Sequence, residues 1–110
     1  MAITLNHTIV PARDKKASAQ FFASLFGLKV EEVGHFAAVR VNDTLTLDFH
    51  NRETFESHHY AFHVSDEEFD AIFARVKAAG LSYTEMIGSI IDLAMSRYLN
   101  ANYANVAAMH

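Results

Sequence analysis

Seven histidines stand among 110 residues that include no cysteine, so any metal or acid–base chemistry rests on imidazoles and carboxylates rather than thiolates. Two of them, His7 in "LNHTIV" and His59 in "SHHYAFHV", lie in β-branched and aromatic runs that read as strands. They are 52 residues apart, and the same offset relates Asp14 to Asp66 and Phe21 to Phe73. After a slip of one residue, Gly27–Leu28 recurs as Gly80–Leu81. Matched helix-capping acids, aromatics and terminal glycines indicate a duplicated strand–helix–strand module. Chance likeness between two amphipathic helices leaves the equivalent histidines unexplained.

Side chains alternate between the faces of a strand. In 58–64, Tyr60, Phe62 and Val64 therefore form an apolar face, and His59, Ala61 and His63 point the other way. In 44–50, Leu45, Leu47 and Phe49 oppose Thr44, Thr46, Asp48 and His50, while His7 shares its face with Leu5 and Ile9. If the polar faces curve toward one cleft, His7, Asp48, His50, His59 and His63 converge there. Two histidines with one or two carboxylates suit zinc, iron, nickel, manganese or cobalt. A lone strand histidine is more often a hydrogen-bonded or surface residue than a ligand, and it is the repeat that raises His7 and His59 above that reading. Asp48 and His50 read equally well as ordinary strand residues. His58 is expected to be exposed and His63 to line the cleft, whereas His35 in a turn and His110 at the end carry no assigned role.

The elements that must position these groups follow from local pattern. Strand 3–12 ends at the sole proline, and helix 13–27 takes Asp14 as N-cap, an apolar stripe of Ala17, Phe21, Phe22, Leu25 and Phe26, and Gly27 as its left-handed terminus. Strands follow at 28–33, 36–41 and 44–50, joined at "GH" and "ND". Strand 58–64 leads into a second helix through a capping box, Ser65 with Glu68, and that helix carries Phe69, Ile72, Phe73 and Val76 and stops at Gly80. The apolar residues Ile87, Ile90, Ile91, Ala94, Met95, Tyr98 and Leu99 fit helical spacing, so the tail is predicted to be mostly helical. The expected organisation is one domain over 1–110, with module one at 3–50, a shortened module two at 57–83 and an atypical tail at 84–110.

A net charge of −4 argues against a nucleic-acid partner, because phosphate binding needs a basic face. No apolar run is long enough to suggest a membrane span, and the N-terminus does not read as a signal peptide, so a cytoplasmic protein acting on small molecules is expected.

Segments "LNHTIVPARDKKASAQFFASLFGLKV" (5–30) and "SHHYAFHVSDEEFDAIFARVKAAGL" (57–81) resemble the two module openings of the vicinal-oxygen-chelate superfamily. That family includes glyoxalase I, extradiol dioxygenases, fosfomycin-resistance transferases and bleomycin-resistance proteins. The resemblance spans about residues 3 to 83 and implies an α+β fold: paired βαβββ modules forming an incomplete, glyoxalase-like barrel around a divalent metal, here with module two shortened and ending in a helix. It implies His7 and His59 as ligands. Asp48 stands where glyoxalase-like members place a carboxylate, although glutamate is usual there. The family's final-strand glutamate, in a context like "DPDGH.LEL", has no counterpart; Asp92 in "GSIIDL" is the nearest candidate. The spacing departs too, since Gly27 to Asp48 is 21 residues and Gly80 to Asp92 only 12. The implied function is a lyase or dioxygenase using zinc, nickel, iron or manganese on a small oxygenated substrate, as a homodimer. A metal-free small-molecule binder of the bleomycin-resistance kind and a catalytically degraded family member are the alternatives.

Overall fold

The computed structural model describes residues 3–56, 58–80, 90–95 and 104–109. The chain divides between Phe55 and Glu56 into two compact units.

In the first unit the order is β1 (His7–Ala12), α1 (Lys15–Phe26), β2 (Val30–Val33), β3 (Phe36–Arg40) and β4 (Thr46–Asn51). The sheet order is β1-β4-β3-β2, with β1 parallel to β4 and the other pairs antiparallel. β1 is an edge strand, which accommodates Pro11 because a proline has no N–H to give to a ladder. Helix α1 begins where the Asp14 carboxylate accepts the Ala17 N–H at 3.1 Å and ends at Gly27 with φ 70, in the left-handed region that favours glycine. It packs on β3 and β4 through Ala19, Phe22, Ala23 and Leu25, all buried. Phe22 stacks on Phe26 at 4.5 Å and meets Phe49 of β4 at 6.1 Å. The hairpin between β2 and β3 turns at Gly34, φ 59. Between β3 and β4, Asn42 Oδ1 accepts hydrogen bonds from the backbone N–H groups of Thr44 and Leu45, an Asx-type turn. Both turns fall where "GH" and "ND" placed them.

The alternation on β4 is as expected. Leu47 and Phe49 are buried under α1, and Thr46, Asp48 and His50 are half-buried on the opposite face. That face continues across His7 and Ile9 of β1, both exposed.

The second unit holds β5 (His58–His63), α2 (Asp66–Ala78), β6 (Ile90–Met95) and β7 (Ala104–Met109). The capping box is complete: Ser65 Oγ accepts the Glu68 N–H at 3.2 Å, and Glu68 accepts the Ser65 N–H at 3.0 Å. Phe69, Ile72 and Val76 are the buried residues of α2.

The tail differs from expectation. Segments 90–95 and 104–109 are strands, not helix, in an antiparallel sheet of order β5-β6-β7. Strand β6 is central and pairs on both edges. A central strand carries a near-continuous apolar run, and "IIDLAM" satisfies helical and strand spacing alike over six residues; flanking strands decided between them. The remaining residues of 81–110 lie outside the described ones. In the first unit the opening strand pairs in parallel with the last strand of its module, whereas β5 pairs antiparallel with β6.

Candidate functional site

The sheet face of the first unit away from α1 carries the candidate chemistry. Along β1 its positions are His7, Ile9 and Pro11, and their register partners on β4 are Thr46, Asp48 and His50. At a rise of about 3.3 Å per residue and a strand spacing of about 4.8 Å, the Cα atoms of His7 and Asp48 are about 8 Å apart. A histidine and an aspartate side chain are long enough to reach a common ion across that gap. His50 lies two residues further, about 14 Å from His7 by the same geometry, too far for a shared ion.

The imidazole of His7 is oriented. Its Nδ1 lies 2.9 Å from Asn6 Oδ1, an acceptor, a contact made by the tautomer that carries its proton on Nδ1 and its lone pair on Nε2. A metal-binding histidine typically has this arrangement, with its second nitrogen donating to a neighbouring oxygen. Asp48 is half-buried and makes no hydrogen bond or ion pair among the described residues, which leaves both carboxylate oxygens available. These two donors fit a divalent cation. Asn6 was not singled out from the sequence, although its place directly before His7 was a signal.

In the second unit, His59 pairs with Ala94, and Asp92 pairs with Ala61. Directly paired residues share a sheet face, so His59 and Asp92 occupy positions of one face, one diagonal step apart. Asp92 is thus on a strand beside the strand of His59, not on the face of a tail helix. The structure brings His7 together with Asp48 within the first unit, whereas His59 and Asp92 are given by strand register alone, their side chains lying outside the described residues. Among the described residues no group of three or more histidines and carboxylates is gathered.

The other histidines separate clearly. His50 rests its ring against Phe36 at 5.4 Å, and its Nδ1 is buried with no hydrogen-bond partner among the described residues. His63 is exposed. His35 sits in the β2–β3 turn, where its carbonyl accepts the Lys15 ammonium at 2.7 Å. The side chain of His58 and the whole of His110 lie outside the described residues.

Beyond the ends of β1 and β4, Arg13, Asn51, Arg52 and Glu53 line an open cavity of about 480 Å³. No helix among the described residues is long and apolar enough to cross a membrane.

Comparison with known proteins places this arrangement in a family. Two solved oxidases are similar over nearly their whole lengths. Oxidase ChaP-H2 is 31% identical, with a TM-score of 0.77, and the match covers 100% of this chain and 96% of that one. Oxidase ChaP-H1 is 30% identical, with a TM-score of 0.75, over 99% of this chain and 98% of that one. The fosfomycin resistance protein FosX of Listeria monocytogenes, solved with Mn(II) and a dihydroxypropylphosphonic acid, shares the fold at 15% identity and a TM-score of 0.63, over 98% of this chain and 93% of that one. No curated protein matches the chain significantly. The family model that matches does so over residues 4–96, and the chain belongs to the Glyoxalase/Bleomycin resistance protein/Dioxygenase superfamily.

Proposed function

We propose that the protein is a metal-dependent enzyme acting on a small oxygenated substrate, with His7, Asp48, His59 and Asp92 as its candidate ligands for a divalent cation, manganese, iron, nickel or zinc. The observation that carries this reading is the His7–Asn6 hydrogen bond, which presents Nε2 on the same sheet face as the unpartnered Asp48 carboxylate. Two imidazoles and two carboxylates form a donor set that such cations accept. A bound cation supplies Lewis acidity, polarising the oxygens of a substrate. The protein's own part is to hold His7 in one tautomer, to fix Asp48 between two strands and to place apolar surface beside them. Ile9, 52% exposed, and Val33, 53% exposed, give that face unburied apolar area for a ligand to cover. Similarity to the ChaP oxidases supports an oxidase- or dioxygenase-type reaction over a lyase. The protein is one domain of two modules and forms a homodimer, which light scattering of the purified chain tests.

A metal-free small-molecule binder is the second reading, favoured by the antiparallel β5–β6 pairing where module one has a parallel pair. Metal analysis of protein made without an affinity tag separates the two. The enzyme reading expects one cation per chain, lost in both His7→Ala and His59→Ala. Wild-type protein that carries no cation and takes up none from added Mn(II), Fe(II), Ni(II) or Zn(II) rejects it and leaves the binder.

A further inference from the structure

One residue past the last paired positions, Ala12 and Asn51, the two strands give way to Arg13 and Arg52. Three bonds fix this end. The Arg52 N–H donates to the Ala12 carbonyl at 2.8 Å, which holds the two arginines on adjacent chain segments. The Asn51 Oδ1 accepts the Lys15 N–H at 2.7 Å, so its amide nitrogen remains as a free donor. The Asp14 side chain caps the Ala17 N–H and is taken up by α1 rather than by the arginines.

Arg13 and Arg52 both line the cavity, and neither forms an ion pair or side-chain hydrogen bond among the described residues. Glu53 lines it too but pairs with neither guanidinium. Two guanidinium side chains without an ion pair among the described residues, together with a free amide, make a lining rich in donors with one carboxylate. Guanidinium forks match the oxygens of carboxylate or phosphate groups in planar, two-point hydrogen bonds. A volume of about 480 Å³ is in the range that takes small ligands.

We infer that this cavity is an oxyanion subsite, in which Arg13, Arg52 and the Asn51 amide bind the carboxylate or phosphate-type group of a small acidic ligand. The inference rests on the sheet face being the ligand site, as proposed above, and it names the substrate class: a molecule with an anionic end. Asp48 and Arg52 are four residues apart, about 13 Å along the strand. The anionic group therefore sits at the far end of the ligand from Asp48. His50 stands between them in sequence, its buried Nδ1 without a hydrogen-bond partner among the described residues.

The test uses the full chain, stripped of metal and dialysed, and follows backbone amide signals during titration with inorganic phosphate and, separately, acetate at constant ionic strength. Saturable shifts at Arg13, Asn51 and Arg52 are expected, and the tighter of the two anions identifies the group. Arg13→Gln and Arg52→Gln each weaken binding about tenfold or more. Glu53→Gln tightens it, an opposite change that no loss of folding produces. Absence of saturation with both anions, or equal affinity in the double arginine variant, overturns the inference. Cation uptake measured on the same samples keeps the two ideas apart: anion binding without metal uptake sinks the enzyme reading alone, and uptake without anion binding sinks the subsite alone.

Discussion

Replacing Asn6 by alanine tests the central observation directly. The substitution removes the acceptor for His7 Nδ1–H, after which the imidazole rotates freely and splits between two tautomers. Loss of such a supporting bond typically costs about 10–100-fold in metal affinity. Asn6 and His7 are both exposed, so water partly replaces the lost acceptor, and the lower end, about tenfold, is expected. That is about 1.4 kcal/mol. Asn6→Asp, which keeps the acceptor and adds charge, should match or exceed wild type. His50→Gln, about 14 Å from His7 by strand register, should change affinity by less than about twofold. Cobalt(II) absorption with competition by a chelator reads all three. An Asn6→Ala affinity equal to wild type refutes the tautomer argument, and a His50→Gln loss as large as that of Asp48→Asn refutes the register argument.

Phe49 is 1% exposed and packs against Phe22 on the core side of β4, so Phe49→Ala should cost about 3–5 kcal/mol; a urea midpoint shift with unchanged slope measures it. Ser65→Ala removes the cap of α2 and should cost about 0.5–2 kcal/mol, read the same way. The Ser65 N–H and hydroxyl hold the Glu68 carboxyl below its ordinary range. The stability this supplies is present above the unfolded carboxylate's pKa and is lost as pH falls through the folded value, so Glu68→Gln should show a flatter acid branch in thermal melts than wild type. Burial raises the Tyr60 phenol above its ordinary range, so stability holds up to the unfolded pKa and declines as pH rises toward the folded one. Tyr60→Phe should flatten that alkaline decline.

Local chemistry made much of the molecule legible in the chain alone. Asp14 and the Ser65–Glu68 pair cap their helices because a short side chain beside free N–H groups has few other partners, and Gly27 and Gly80 take the positive φ that other residues resist. The two-residue alternation of β4 separated Phe49 from Asp48 without reference to any distant residue. What tertiary structure decided is what depends on pairing. "IIDLAM" carries no preference strong enough to choose between helix and strand, and it became a central strand because β5 and β7 offered it ladders on both sides. That pairing moved Asp92 into register with Ala61, beside His59, a position no residue count from Gly80 reveals. Parallel pairing of β1 with β4 likewise set His7 across from Thr46, which put Asp48 within reach of a shared ion and His50 beyond it. It also placed Arg13 and Arg52, each directly after the end of its strand, on adjacent chain segments although they are 39 residues apart in sequence. Residue types along a strand tell which groups share a face; only the register between strands tells which of them meet.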